Sequence, residues 1–283
     1  MTMNKFKFKF ASSFKPITFL KNKGFDLWVP RLALTLLCSV FTQGAVAQES
    51  DQNSQTNTWA LSTGTGNTES VTGRATENFI TLRRYSSLGS IAIERIQLKR
   101  FGLTDTAVAL DAYPRLWSGA YANLRYQTSS ASSLYPKQSW RAEVYQNAGG
   151  GWEWAAGHDY LGFASDVKID GVAIGHYWGN FYARLRHQRV VSNHSSGSGD
   201  RFMLRYYYQG DADHYLEINA SKGRSDDFST AQIAGNRSDS RGLAWYHFID
   251  KNWGFKLSAS QANDTSGFSQ TERSLNAGIS YRW

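Results

Sequence analysis

The residues of this sequence that are best suited to bind a ligand are charged side chains that recur at alternate positions. Arg141 and Glu143 are two residues apart, as are Arg184 and Arg186, and Arg205 stands in a similar alternating segment. Side chains two apart in a β-strand project from the same face. A row of guanidinium groups would favour anionic solutes or an acidic glycan, whereas mixed charges would neutralise one another as buried ion pairs. The sequence leaves both interpretations open.

The histidines and the remaining carboxylates form no recognisable catalytic or metal-binding pattern. His194 stands beside Ser195 in a polar segment, but an esterase needs a nucleophile held by a base and an oriented third group. Asp226 and Asp227, with Asp239, could attract Ca²⁺, yet they lack the ordered ligand spacing of a calcium loop. We therefore predict no catalytic residue, no metal and no cofactor.

Residues 1–47 are predicted to be a secretory signal peptide. Seven Lys and Arg side chains precede or flank the apolar run 32–47, which closes on Ala-Val-Ala, so that cleavage is expected after Ala47. An uncleaved membrane anchor is the alternative. The run is short and interrupted by Thr, Ser and Gln, which disfavours a membrane span.

The leader accounts for most of the positive charge of the chain. Residues 1–47 carry seven of the 31 Lys/Arg and one of the 23 Asp/Glu, which leaves 24 bases, 22 acids and a net charge of +2. The basic isoelectric point is therefore not a nucleic-acid footprint, and no nucleic-acid partner is expected. Cys38, the single cysteine, lies in the leader, which excludes a disulfide framework from the rest.

The charged side chains are positioned by segments that alternate between apolar and polar residues. The chain ends SLNAGISYRW, in which Leu275, Ala277, Ile279, Tyr281 and Trp283 share one face and polar residues occupy the other. A large aromatic as the last residue, in phase with the apolar face, suggests that the terminus is held. Ile279, Tyr281 and Trp283 are therefore our candidates for a C-terminal assembly signal.

About ten alternating residues followed by a break recur throughout the chain, which is the signature of a transmembrane β-barrel. After a polar lead at 48–55, we predict a barrel over 56–283, all-β, antiparallel and up-and-down. Fourteen strands are predicted, although twelve are possible, at 56–63, 75–85, 89–100, 105–113, 119–128, 138–147, 152–162, 168–178, 180–191, 201–210, 214–222, 240–249, 253–262 and 271–283. A secreted β-sandwich or small lectin is the soluble alternative, but its strands would be shorter.

The phase of the alternation assigns the charged residues to the inside. An Arg or Lys on the lipid face costs about 2–4 kcal/mol at mid-membrane. The predicted lumen-lining residues are Arg125, Arg141, Glu143, Asp159, Arg184, Arg186, Arg205 and Glu217, together with Glu153, Lys256 and Arg282. Arg141 is expected to lie nearly opposite Asp159. Six tryptophans near strand ends, Trp117, Trp152, Trp154, Trp178, Trp253 and Trp283, are expected to form aromatic girdles.

The connections between the predicted strands suggest an orientation. Bacterial barrels place both termini in the periplasm, with short turns there and longer loops outside. The expected outer connections, such as GTGNTESVTG at 64–73, NHSSGSGD at 193–200 and the long segment at 222–240, exceed the inner ones, with FGLT as the exception. Whether the 222–240 loop folds inward as a plug is left open.

Three blocks of the sequence carry a resemblance to a known family. The blocks RFGLTDTAVALDAYPRLWSGAYANLRYQ, YPKQSWRAEVYQNAGGGWEWAAGHDYL and IGHYWGNFYARLRH resemble the YaiO family of outer-membrane β-barrel proteins, from about residue 56 to the end. Residues 141–145, 151–153 and 177–180 are the more specific parts. The resemblance implies a barrel in the outer membrane of a Gram-negative bacterium, but it supplies no substrate and no ligand residues.

Three functional hypotheses follow from the sequence. The first is a pore or export conduit for small solutes or an anionic glycan. The second is a structural or assembly barrel with a plugged lumen, and the least favoured is an enzyme that modifies outer-membrane lipid. The expected partners are outer-membrane lipid, lipopolysaccharide and the barrel-assembly machinery, while the sequence leaves the oligomeric state open.

Overall fold

The computed structural model describes residues 58–71, 73–164, 166–192, 195–223, 238–264 and 270–283. The predicted signal peptide 1–47, the polar lead 48–55, and His194, Asp226 and Asp227 lie outside these residues. Within the described ranges, no helix is long and apolar enough to cross a lipid bilayer.

The described residues form fourteen β-strands. They are β1 (Trp59–Ser70), β2 (Gly73–Ser86), β3 (Gly89–Arg100), β4 (Leu103–Trp117), β5 (Ala120–Ser129), β6 (Gln138–Gly149), β7 (Trp152–Gly162), β8 (Asp166–Trp178), β9 (Phe181–Ser192), β10 (Ser195–Tyr207), β11 (His214–Gly223), β12 (Ser238–Phe248), β13 (Trp253–Asp264) and β14 (Gln270–Arg282).

Each strand pairs antiparallel with the strands before and after it, and the sheet closes on itself. β1 pairs with β14, so that Ala60 lies opposite Arg282 and Glu69 opposite Arg273. Closure gives every strand two hydrogen-bonded neighbours and leaves no open edge. The predicted all-β, up-and-down barrel of fourteen strands is confirmed, and the twelve-strand alternative is wrong.

The two faces of the barrel differ as the alternation predicts. On β14 and the residue after it, Leu275, Ile279 and Trp283 are 67%, 53% and 54% exposed, whereas Ser274 and Asn276, in the opposite phase, are buried. The outer face is therefore apolar and the inner face polar, which is the distribution that a lipid environment requires.

Tryptophans collect at one end of the barrel. We call the end at which β1 begins and β14 ends the terminal end, and the opposite end the far end. All six tryptophans of the predicted girdle lie at strand ends of the terminal end and are 44–61% exposed. They form a belt at the terminal end, with Trp59 of β1 beside them, whereas Trp140 of β6 lies near the far end.

The expected connection lengths are wrong in several places. Residues 64–70 belong to β1 and residues 195–200 to β10, so those two far-end connections shrink to 71–72 and 193–194. By these strand bounds, only 130–137 and 224–237 exceed the longest terminal-end connection, 208–213.

The prediction was wrong at these positions because glycine and serine residues are common in turns and were interpreted as turn residues. In β1 they instead make room for neighbours: a Cβ on Gly64 would lie 2.6 Å from a ring carbon of Phe79. The segment PRLWS, expected to be a turn, also contributes Pro114–Trp117 to β4, with an irregular register between Arg115 and Trp117.

Candidate functional site in the barrel interior

A network of ion pairs crosses the interior from β6 to β9. Arg141 of β6 lies opposite Asp159 of β7, and its Nε donates to Oδ1 of Asp159 at 2.6 Å. Glu143, two residues along, accepts from Arg184 at 2.8 Å and from Arg186 at 2.6 Å. Arg186 also lies 3.4 Å from Asp159, so that the five side chains form one connected group.

Glycines on the intervening strands allow this network to form. β7 and β8 separate Glu143 from Arg184 and Arg186, and they present Gly157 and Gly171 to the inside. A Cβ on Gly157 would lie 2.7 Å from the Cβ of Glu143, and one on Gly171 would lie 2.7 Å from the Arg186 guanidinium. The long side chains therefore reach across two strands because these positions lack side chains.

A second network lies on β2 to β5. Arg125 donates to Glu94 at 2.6 Å and lies 3.4 Å from Asp111. Arg83 lies 3.4 Å from the same Asp111, and Thr81 donates to Glu94 at 3.0 Å. Two cations and two carboxylates thus balance one another on this side of the interior.

Three further arginines are paired in the same way. Arg205 of β10 donates to Glu217 of β11 at 2.7 Å, and Arg100 of β3 donates to Glu272 of β14 at 2.8 Å. Arg282 donates to both oxygens of the Asp213 carboxylate, at 3.0 and 2.5 Å. Eight inner arginines in total lie within 3.4 Å of a carboxylate oxygen.

The structure places the eight lumen-lining residues of the sequence analysis on the inner face. Arg184, Arg186 and Arg205, which could have formed a row of free positive charge, each have a carboxylate partner. The arrangement corresponds to the ion-pair interpretation of these residues. Charge within this part of the interior is therefore largely compensated.

Glu153 is an exception among the inner carboxylates. It is 4% exposed, and it accepts hydrogen bonds from the hydroxyls of Tyr121 at 3.1 Å and Tyr182 at 2.7 Å. No Lys or Arg nitrogen among the described residues lies within the 4.0 Å of an ion pair with it. Its partners belong to a larger set of inward tyrosines.

Inward-facing tyrosines gather at the terminal end of the interior. Tyr121 stacks on Tyr145 with ring centroids 4.4 Å apart, and Tyr177 stacks on Tyr182 at 4.2 Å. The set comprises Tyr85, Tyr113, Tyr121, Tyr145, Tyr177, Tyr182, Tyr207, Tyr215 and Tyr246. We call this set the tyrosine ring. The sequence analysis did not identify it, although each tyrosine has the same phase as the inward residues of its strand.

The connection 130–137 folds into the far end of the interior. The buried carboxylate of Asp105 accepts from four backbone N–H groups of this loop: Ala131 at 3.2 Å, Ser133 at 2.9 Å, Leu134 at 3.0 Å and Tyr135 at 3.1 Å. One side chain thus satisfies most of the donors of the loop and fixes its path.

Apolar packing holds the same loop from the other side. Leu134 is fully buried and Tyr135 is 3% exposed, and both pack on an inward cluster formed with Ala75, Ile96, Leu98 and Ala107. The Tyr135 hydroxyl also donates to Glu77 at 2.9 Å. In the sequence, the inward packing of this loop is indicated by Leu134, Tyr135 and Pro136, which are apolar residues in an otherwise serine-rich segment. The loop at 222–240, for which a plug was considered, lies outside the described residues over 224–237.

Three of the five described histidines pair with an acid, and the pairs of His158 and His187 lie on the outer face. His158 lies 2.6 Å from Asp170, and His187 lies 2.8 Å from Asp200, with all four side chains in the outward phase of their strands. Among the described residues, no group of three or more His, Cys, Asp or Glu is arranged to hold a metal ion.

Solved structures share the barrel fold at low sequence identity. A CymD monoaromatic hydrocarbon channel superposes with a TM-score of 0.50 at 7% identity, over 80% of this chain and 88% of that one, which supports the fold. Omp33 of Acinetobacter baumannii gives 0.49 at 12% identity over 80% and 99%. An anion-selective porin from Comamonas acidovorans gives 0.44 at 8% identity over 81% and 99%.

No curated protein sequence matches the chain. The model of the YaiO membrane β-barrel domain matches residues 70–228, more than half of the 283 residues and most of the strands described above. On this match, the chain belongs to the YaiO family of membrane β-barrel proteins.

Proposed function

We propose that this protein is an outer-membrane channel for small polar solutes, with little preference for the sign of their charge. The observation that carries the proposal is the pairing of eight inner arginines with carboxylates inside a closed barrel with an apolar exterior. Paired charges keep the interior polar and hydrated without a strong net field. The predicted signal peptide and membership of the YaiO family support a location in the outer membrane.

Two features of the interior favour small solutes over a glycan chain. The inward loop 130–137 occupies part of the far end, and the tyrosine ring narrows the terminal end. An anionic glycan would also need a row of free cations, whereas Arg184, Arg186 and Arg205 are engaged with carboxylates.

Single-channel recording in a planar bilayer tests the proposal. We expect small conductance steps with similar permeability for anions and cations. Asp105→Ala should raise the conductance, because the loop 130–137 loses the carboxylate that binds four of its N–H groups. Asp239→Ala is the matched control, since that side chain is exposed in the outward phase of β12. Strong anion selectivity in the native protein would contradict the proposal.

A structural barrel with a plugged lumen is the second candidate. The loop 130–137, which Asp105 binds, and the packed tyrosines favour this function, because they fill interior volume at both ends of the barrel. The same recordings distinguish the two functions. If the native protein, Asp105→Ala and a variant lacking residues 131–136 are all silent, the barrel is plugged and the channel proposal is wrong.

A further inference from the structure

The apolar band on the outer face is not equally deep around the barrel. On β14 and the residue after it, five outward residues from Trp283 back to Leu275 are apolar before Arg273 is reached. On β3, Ile91 and Ile93 are followed directly by the outward Arg95. The band is therefore shallow at β3, which brings a cation close to the acyl chains.

Four cations lie on the outward face of this sector, between the middle of β3 and the far end. We call Arg74, Arg95, Lys99 and Arg273 the outer cationic patch, and all four are exposed. Arg74 pairs with Glu69 at 2.5 Å. Glu69 also lies opposite Arg273 across the β1–β14 ladder. One carboxylate thus serves a patch with four positive charges.

The other cations of the patch lack a carboxylate partner of their own. Among the described residues, no Asp or Glu oxygen lies within 4.0 Å of the side-chain nitrogens of Arg95, Lys99 or Arg273. Lys99 lies opposite Thr76 and Thr104, and Arg95 lies opposite Ile80 and Val108. Uncompensated positive charge therefore faces the bilayer here.

The opposite sector of the barrel is built differently. There, Arg189 lies directly opposite Asp170. Lys222 lies opposite both Asp200 and Asp239. Strands β8 to β12 of that sector carry four outward acids, Asp166, Asp170, Asp200 and Asp239, for four outward bases. The excess of positive charge on β14 to β3 is therefore a local property and not a general feature of the far end.

We infer that the outer cationic patch binds a phosphorylated glycolipid of the leaflet at the far end. Phosphate groups would supply the missing anions for Arg95, Lys99 and Arg273, and acyl chains would lie on the aliphatic residues below, including Ile80, Ile93 and Leu110. The chemistry requires both parts of such a lipid, an anionic head group and hydrocarbon tails.

A second copy of the chain is the competing occupant of this face. A two-fold interface brings the same surface of both copies together. It would place four cations against four cations, with Glu69 as the single acid of each patch. Repulsion between like charges disfavours that arrangement.

Binding of purified barrel to lipid A provides the test. The probe is bisphosphorylated lipid A, and the comparison is the same lipid with its phosphates removed. The variant carries Arg74→Gln, Arg95→Gln, Lys99→Gln and Arg273→Gln. We expect its affinity to fall about fivefold for each charge removed. The native barrel should bind the dephosphorylated lipid as weakly as the variant binds lipid A.

A charge-matched control uses the opposite sector. Lys168→Gln, Arg189→Gln, Lys222→Gln and Arg241→Gln together remove four outward bases and should leave lipid A binding unchanged. Retention of affinity by the patch variant, or an equal loss in the control, would overturn the inference. So would a dimer of the native barrel that the patch variant dissociates, because that result assigns the face to a second copy. The readout does not depend on conductance.

Discussion

At the scale of single residues, Glu143 holds the centre of the interior together. It accepts from Arg184 at 2.8 Å, from Arg186 at 2.6 Å and from the hydroxyl of Tyr145 at 2.5 Å. The guanidinium of Arg184 also lies 5.0 Å from the ring centroid of Tyr145. One carboxylate thus determines the direction of two arginines, and removal of either arginine leaves excess negative charge.

Arg184→Gln tests this balance. The variant should shift ion selectivity towards cations, because Glu143 then retains one cationic partner in place of two. Reversal potentials in a salt gradient measure the change. Arg184→Lys is the control and should keep the native selectivity. A shift towards anions in Arg184→Gln would show that the compensation argument is wrong.

At the scale of elements, β14 is the strand that closes the barrel and ends the chain. The N–H of Trp283 donates to the carbonyl of Trp59 at 3.0 Å, and the N–H of Trp59 donates back to Trp283 at 3.0 Å. The rings of Tyr281 and Trp283 stack with centroids 5.8 Å apart on the outer face. The backbone of Trp283 is therefore paired with β1, while its ring lies on the outer face beside Tyr281.

A further prediction concerns Ile279, Tyr281 and Trp283, the proposed assembly signal. Tyr281→Ser combined with Trp283→Ser should lower the yield of folded barrel in cells, because outward aromatic surface at the final strand is lost. The heat-modifiable fraction on a gel measures folded barrel. Trp178→Ser, at another girdle position, is the control. An equal loss of folded barrel in the double variant and in Trp178→Ser would show that Trp283 acts only as a girdle residue.

At the scale of the whole molecule, an ion pair spans the seam at which the sheet closes. Arg100 lies on β3 and Glu272 on β14, with β1 and β2 between them, and each side chain is 1% exposed. The pair therefore ties the beginning of the barrel to its last strand. The Arg100 guanidinium also lies 4.7 Å from the ring centroid of Phe101.

Glu272→Gln should lower the free energy of unfolding by about 3–5 kcal/mol, because it leaves a buried guanidinium without its carboxylate. Urea-induced unfolding in lipid vesicles measures the loss. Combined replacement, Arg100→Met with Glu272→Leu, should be much less destabilising, since no charge is left unpaired. If the double variant is as unstable as the single one, packing and not charge explains the effect.

The sequence by itself determined the strands and their two faces. Alternation with a period of two is a local property, so β3 at 89–100 and β7 at 152–162 have the bounds that were predicted. The adjacency of Arg141 and Asp159 also followed, because a short turn fixes the register of a hairpin. The glycine-rich ends of β1 and β10 could not be assigned, since their pairing depends on the neighbouring strands.

Only the tertiary structure decided what meets across the interior. The contacts of Glu143 with Arg184 and Arg186 skip two strands, and they depend on the curvature of the closed sheet and on Gly157 and Gly171. The inward path of the loop 130–137 depends on Asp105, which is remote in sequence. Local patterns encode which face a side chain occupies, but its partner is set by closure, which brings distant strands within reach.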